Sequence, residues 1–201
     1  MQDRVKLEPA PGTRGGERRR RILKGLHDCV IEQGYAKTTL ADVARSADMS
    51  PSHLLYYFSG KNAILKEYFE RVAARIRERI DGFRGEDVRH QIELLAELFF
   101  AGKGITRSEI GFMLECFGVA VHDPQLHREK TELDQFCKAY LKELFEHLPD
   151  SGAAKDAAEV AYAILIGLRT AAYFDQRLGL PQARRLFRAE MSTLAGIDEP
   201  G

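Results

Sequence analysis

The stretch from Thr38 to Lys61, TTLADVARSADMSPSHLLYYFSGK, decides how this chain is read. Thr39, with Asp42 three residues later, marks a helix N-terminus: the hydroxyl accepts from a free backbone N–H and the carboxylate suits the positive end of the helix dipole. Leu40, Val43 and Ala44 then face inward, and Ala44 leaves room for a crossing partner. Asp48 falls at the next turn, where a left-handed backbone is expected and aspartate is one of the few non-glycine residues to tolerate it. Met49 adds an apolar contact to that turn. Ser50-Pro51 restarts the chain with a serine cap and a proline whose φ already suits the first helical position. At about 100° per residue, Leu54 and Phe58 turn inward with Tyr57 on their flank, while Ser52, His53 and Tyr56 turn outward. A helix of barely two turns is held only by packing, which leaves its outer face for a ligand. Two short helices with a tight hinge are the pattern of a helix-turn-helix, whose second helix enters the DNA major groove.

Working outward, a run of four arginines, Arg18 to Arg21, lies just upstream. Residues 1–82 hold 16 Lys/Arg against 11 Asp/Glu, a net of +5, and residues 83–201 hold 14 against 19, a net of −5. Overall charge is balanced at 30 against 30, so only the distribution suggests a polyanion at one end. Residues 1–16, with Pro9, Pro11, Gly12, Gly15 and Gly16, predict a flexible basic arm. A DNA-binding domain is expected over 17–63, and a helical ligand-binding and dimerisation domain over 64–201.

The remaining period is helical throughout. Ile22, Leu23, Leu26, Cys29 and Val30 form one stripe that stops near Gly34, and Ile64 to Ile80 form a longer one closed by Gly82. Val88 to Phe100 makes a third stripe, ended by Gly102 and Gly104, and Ile110 to Val121 a fourth. Asp123-Pro124 opens a helix that runs to Pro149. Helices over 153–177 and 181–195 complete an all-α fold of about nine helices. Cys29, Cys116 and Cys137 are odd in number and widely spaced, which predicts neither a disulfide framework nor a metal site. No apolar leader is evident and no window approaches ~18 unbroken apolar residues, so a cytoplasmic protein away from the membrane is expected. A helical-bundle enzyme would need a nucleophile–base pair, an HExxH spacing or a glycine-rich phosphate loop, and none is present. No cofactor is predicted.

The segment from about Arg18 to Phe69 resembles the DNA-binding domain of TetR-family regulators, on Gly34-Tyr35, Thr38-Thr39, Val43-Ala44, Met49-Ser50, Tyr57-Phe58, Lys61 and Ile64-Leu65. That resemblance implies a homodimer on a palindromic operator in double-stranded DNA, usually repressing, and released when a small molecule binds the C-terminal helices. An inducer-independent factor or an activator is the alternative within the same class. The chain departs from the family pattern at Asp48, Leu55, Gly60 and Asn62, where glycine, tyrosine, serine and glutamate are usual. The missing tyrosine commonly touches phosphate; Tyr56 or Tyr57 replaces it, or Leu55 meets a thymine methyl instead.

The candidate DNA-binding residues are therefore Arg18, Arg19, Thr38, Thr39, Ser50, Ser52, His53, Tyr56, Tyr57 and Lys61. Ser52, His53 and Tyr56 are assigned to base edges or adjacent phosphates, and Thr38, Thr39, Tyr57 and Lys61 to phosphate. Thr39 serves equally as a cap, Tyr57 is half core by its angle, and Lys61 equally starts the next helix as a solvated residue. The candidate effector residues are Phe99, Phe112, Met113, Cys116, Phe136, Tyr140, Tyr162 and Arg169, mostly apolar, which suits a largely hydrophobic guest. Each of them is also plausible core. Helices 153–177 and 181–195 carry many small residues and are expected to pair with a second subunit as a four-helix bundle; the competing arrangement packs that face within its own chain.

Overall fold

The computed structural model describes residues 14–101, 106–148, 151–175 and 177–197. Among them lie nine α-helices and no strand: α1 Arg14–Gln33, α2 Leu40–Ser46, α3 Pro51–Tyr57, α4 Lys61–Asp81, α5 Val88–Phe100, α6 Arg107–Ala120, α7 Pro124–Leu144, α8 Ser151–Phe174 and α9 Leu180–Leu194. Two compact units divide within α4, one ending at Phe69 and the other beginning at Glu70.

In the first unit, α1 buries Ile22, Leu23, Leu26, Cys29 and Val30, the stripe expected from spacing. It begins earlier than expected. Arg14, Gly15 and Gly16 are helical, although their glycines suggested the end of an arm; a glycine weakens a helix by about 1 kcal/mol without breaking it. The rest of the expected arm lies outside the described residues. Gly34, at φ 82, ends α1 in a left-handed step, its N–H bonding the Val30 carbonyl at 2.8 Å. The close crossing of α1 and α2 is made at Gly25. A Cβ there would stand 3.0 Å from the Val43 carbonyl oxygen and 3.3 Å from the Ser46 Cβ. Val43, Ala44 and Ala47 are buried on the facing side, as the small residue at 44 predicted.

The hinge follows the sequence closely. Thr39 and Asp42 form a reciprocal capping box on α2, Ser50 accepts the His53 N–H at the start of α3, and Asp48 adopts φ 55. Leu54 is fully buried beneath α3, with Phe58 just past its end.

In the second unit α5 packs on α9, and α8 lies against α6, α7 and α9. The end of α5 at Phe100 agrees with the spacing, while Gly102 and Gly104 lie outside the described residues. Helix α7 stops at Leu144, short of Pro149. The chain then closes in tighter turns, Glu146 N–H to Glu143 and Leu148 N–H to Phe145, in keeping with the bias against α conformation before a proline. Helices α6 and α8 meet at Gly111, where an added Cβ would lie 2.5 Å from the Tyr173 hydroxyl.

The alanine-rich face of α8 is a correction. Ala154, Ala157, Ala158, Ala161, Leu165 and Ala172 are buried inside this chain, so small side chains here let α8 approach its own neighbours. A second stripe of the same helix faces out: Val160 is 48% and Phe174 69% exposed, Ala163 and Gly167 are exposed, and nothing lies near Gly167. Residues Gly152–Phe174 are long and apolar enough, by length and composition alone, to cross a membrane, with a mean hydropathy of 1.3. Of that window 28% is buried within the chain, by the alanine face and Leu165.

Candidate nucleic-acid interface and effector region

The outward face of α3 carries Ser52, Leu55 and Tyr56, all exposed, Tyr56 to 70% and Leu55 to 51%. His53 is half-buried, its ring 5.4 Å from that of Tyr57, and Tyr56 meets Tyr57 edge-on at 5.3 Å. Tyr57 is half-buried and its hydroxyl accepts from Arg18 Nη1 at 3.3 Å, so those two residues form one unit. Ser50 and Thr39 are exposed at the starts of α3 and α2 while acting as caps.

Three residues expected at phosphate are committed elsewhere. Arg19 forks onto the Glu67 carboxylate, donates to the Tyr57 carbonyl at 3.2 Å and stacks 4.4 Å over Phe58. A planar guanidinium satisfies a carboxylate, a carbonyl and a ring at once, which binds α1 to α4. Thr38 is buried and its hydroxyl donates to the Gly34 carbonyl at 2.9 Å, closing the end of α1. Lys61 donates to the carbonyls of Tyr35 and Thr38, both at 2.7 Å, and lies 4.2 Å over the Tyr35 ring. Burial holds its pKa below the usual lysine value. These carbonyls follow a helix end, where acceptors need partners, and the lysine supplies them. Arg20 and Arg21, by contrast, are exposed. Glu67 and Gly25 have no signal in the sequence, and Asn62 stands out there only as a departure from the family pattern. Each acts across 18 or more residues of separation, as Asn62 does in accepting from the Tyr35 hydroxyl at 2.6 Å, and no local pattern announces such a pair.

Of the expected effector residues, Phe99, Phe112, Met113, Cys116 and Tyr140 are buried, and Phe136, Tyr162 and Arg169 are half-buried. Tyr140 spends its hydroxyl on Gln91 at 2.6 Å, below the Arg84 guanidinium; burial pushes its pKa up to about 12 although Arg84 pulls the other way. Burial raises both Cys116 and Cys137, Cys137 to about 12, so both stay neutral thiols. Tyr162 donates to Asp134 at 2.5 Å, and its pKa is raised by burial and by that carboxylate. Arg169 lies 5.3 Å over the Phe99 ring. Cys137 feels the charges of Asp134, Arg169, Arg77 and Lys130, and Arg77 stands 6.0 Å over the Phe136 ring. Among the described residues no cluster of His, Cys, Asp or Glu is suited to a metal.

An all-helical chain with two short capped helices, a left-handed hinge and a bare second helix is a helix-turn-helix DNA-binding protein. Residues 22–68 match the family described as bacterial regulatory proteins, tetR family, and residues 88–196 match BetI-type transcriptional repressor, C-terminal. The chain belongs to the TetR family of transcriptional regulators and is a DNA-binding repressor, not an enzyme. It is similar to the HTH-type transcriptional regulator BetI of Stenotrophomonas maltophilia, 25% identical over 75% of this chain and 79% of the relative. An uncharacterized HTH-type regulator in the dhlA 5′ region of Xanthobacter autotrophicus is 28% identical over 81% of this chain and 79% of that protein. Among solved structures, a transcriptional regulator from Rhodococcus sp. Rha1 shares the fold at a TM-score of 0.79 and 17% identity, covering 91% of this chain and 99% of the other. A putative regulator from Saccharomonospora viridis, in complex with choline, does so at 0.73 and 20%, covering 86% and 94%.

Proposed function

We propose that this protein is a cytoplasmic homodimer that binds a palindromic operator and leaves it when a small, largely apolar effector enters among α5 to α8. The observation that carries the DNA reading is the outer face of α3, which presents Ser52, Leu55 and Tyr56 to solvent while Leu54 is buried behind them. Ser52, His53 and Tyr56 read base edges, and Leu55 contacts a thymine methyl. Arg18 with Tyr57, together with the exposed hydroxyls of Thr39 and Ser50, sets the register on phosphate. Arg20 and Arg21 supply the remaining positive charge, a role first assigned to Arg19.

The outer stripe of α8 supports the dimer. Val160, Ala163, Gly167 and Phe174 recur at intervals of three, four and seven residues, the spacing of a helix–helix seam, and pairing α8 and α9 across a two-fold axis buries it. Light scattering tests this directly: the wild type runs as a dimer and Gly167→Leu as a monomer. A monomeric wild type, or a dimeric variant, overturns that assignment. For DNA, purified protein is used to select fragments of the source genome. Enrichment of an inverted repeat is expected, and Arg20→Ala with Arg21→Ala lowers the slope of log affinity against log salt by about 2. Failure to select any duplex removes the reading.

A further inference from the structure

Arg169 lies on the inward side of α8 between Leu165 and Ala172, both buried. Its guanidinium stands 5.3 Å over Phe99 of α5, and its charge is influenced by Tyr162 on its own helix, Cys137 of α7 and Glu109 of α6. Nε is completely buried without a hydrogen-bond partner. Among the described residues, no carboxylate reaches ion-pair distance of this side chain. The nearby anions are already spent. Glu109 binds Arg75 at 2.5 Å and caps α6 through Thr106, and Asp134 binds Lys130 and the Tyr162 hydroxyl. Arg77, 6.0 Å over Phe136, has no carboxylate partner among the described residues either. Once the pairs Arg75–Glu109 and Lys130–Asp134 cancel, Arg77 and Arg169 remain as two uncompensated cations. Burial lowers the pKa of Arg169 to about 10, which still leaves it charged at neutral pH. A guanidinium whose Nε is shut away from water with no acceptor is costly, so an anion from outside would complete the site.

The aromatic rings speak against the opposite kind of guest. Quaternary ammonium ions are held on open aromatic faces. In this unit Phe99, Phe117, Phe136, Tyr140, Tyr162 and Tyr173 each carry a cation of the chain itself, 4.9–6.0 Å from the ring centroid. Lys130, Lys138 and Arg84 are neutralised by carboxylates, but among the described residues Arg77, Arg107 and Arg169 are not, so a positive guest would meet uncompensated positive charge and rings with one face already occupied.

We infer that the effector is a small organic acid, an apolar body bearing a carboxylate that seats on Arg169, and that quaternary ammonium ions are rejected. This rests on the effector reading of α5 to α8 given above. The guanidinium fork matches a carboxylate in two parallel hydrogen bonds, and the Phe99 ring beneath it makes the surroundings apolar.

Two probes of similar size and opposite charge test the inference on the full-length protein: 4-phenylbutyrate and phenyltrimethylammonium, with choline as a third. Calorimetry and thermal shift on wild type are expected to show binding of 4-phenylbutyrate alone. Arg169→Met removes an uncompensated charge at similar volume. It is expected to melt higher than wild type without ligand yet bind the carboxylate at least about tenfold more weakly. Arg169→Lys keeps part of the affinity. Binding of either ammonium probe to wild type, no binding of the carboxylate, or equal carboxylate affinity in Arg169→Met overturns the proposal. Release from DNA is read separately on the selected fragment. A carboxylate that binds without releasing DNA leaves this inference standing and sinks the release reading; release by choline does the reverse.

Discussion

Arg19 and Lys61 in the first unit and Arg169 in the second meet opposite fates. In the unit ending at Phe69, Arg19 and Lys61 are absorbed into the scaffold, one by Glu67 and a carbonyl, the other by two carbonyls and a ring. In the unit beginning at Glu70, Arg169 stands over the Phe99 ring with its Nε unpartnered and, among the described residues, no carboxylate at ion-pair distance. A cation tied to its own chain fixes geometry, whereas one left over awaits something from outside. Residue type alone does not distinguish them, because both kinds lie on amphipathic helices. The partner decides, and the partner is distant in sequence.

That contrast can be broken at several points. The largest effect is expected from Gly25→Leu, which forces a side chain into the space held by the Val43 carbonyl and Ser46. Overpacking at a backbone contact costs about 3 kcal/mol, so denaturant unfolding shows a marked drop in midpoint and DNA binding is lost with it. Next comes Glu67→Ala, which strands a half-buried guanidinium. A loss of about 2 kcal/mol is expected after discounting for partial exposure; a change below a few tenths would mean that Arg19 is not a scaffold residue. Tyr56→Ala removes an exposed ring and its edge-on contact with Tyr57. It should cost about 1 kcal/mol or less of stability and weaken DNA binding by about tenfold, the size of one base contact. Unchanged affinity would move the reading surface off this helix. The smallest effect is expected from Thr39→Ser, which keeps the capping hydroxyl and should cost a few tenths of a kcal/mol, whereas Thr39→Ala costs about 1 kcal/mol. Equal losses of DNA affinity in the two variants would instead implicate the methyl group.

The first unit was the more legible one. Thr39, Asp48, Ser50 and Pro51 act through bonds and dihedrals within a few residues, so the hinge and caps stood in the sequence as they stand in the fold. The helices of the second unit were equally plain from periodicity. Its site was not, since inward stripes do not say which side chains fill space and which border it. Phe112 and Tyr140 prove to be core, and only Phe136, Tyr162 and Arg169 keep exposed area. Thr38 shows the same limit from the other side: a hydroxyl read as a phosphate contact closes α1 from a buried position, for a reason found four residues back at Gly34. Ala161 does too, because a small residue admits a neighbour without naming which chain supplies it.

Asp48 has a consequence for the latitude of this corner. At φ 55 it occupies a basin that costs most side chains about 1–2 kcal/mol and that only glycine, asparagine and aspartate enter readily. In a library randomised at this one codon and screened for repression, survivors should be drawn almost entirely from those three amino acids. Ser52, exposed four residues further on, should tolerate far more variety in stability while losing repression. The angle at which the reading helix is offered thus hangs on a choice of three amino acids made for the backbone, while its outer face can change specificity without disturbing the fold.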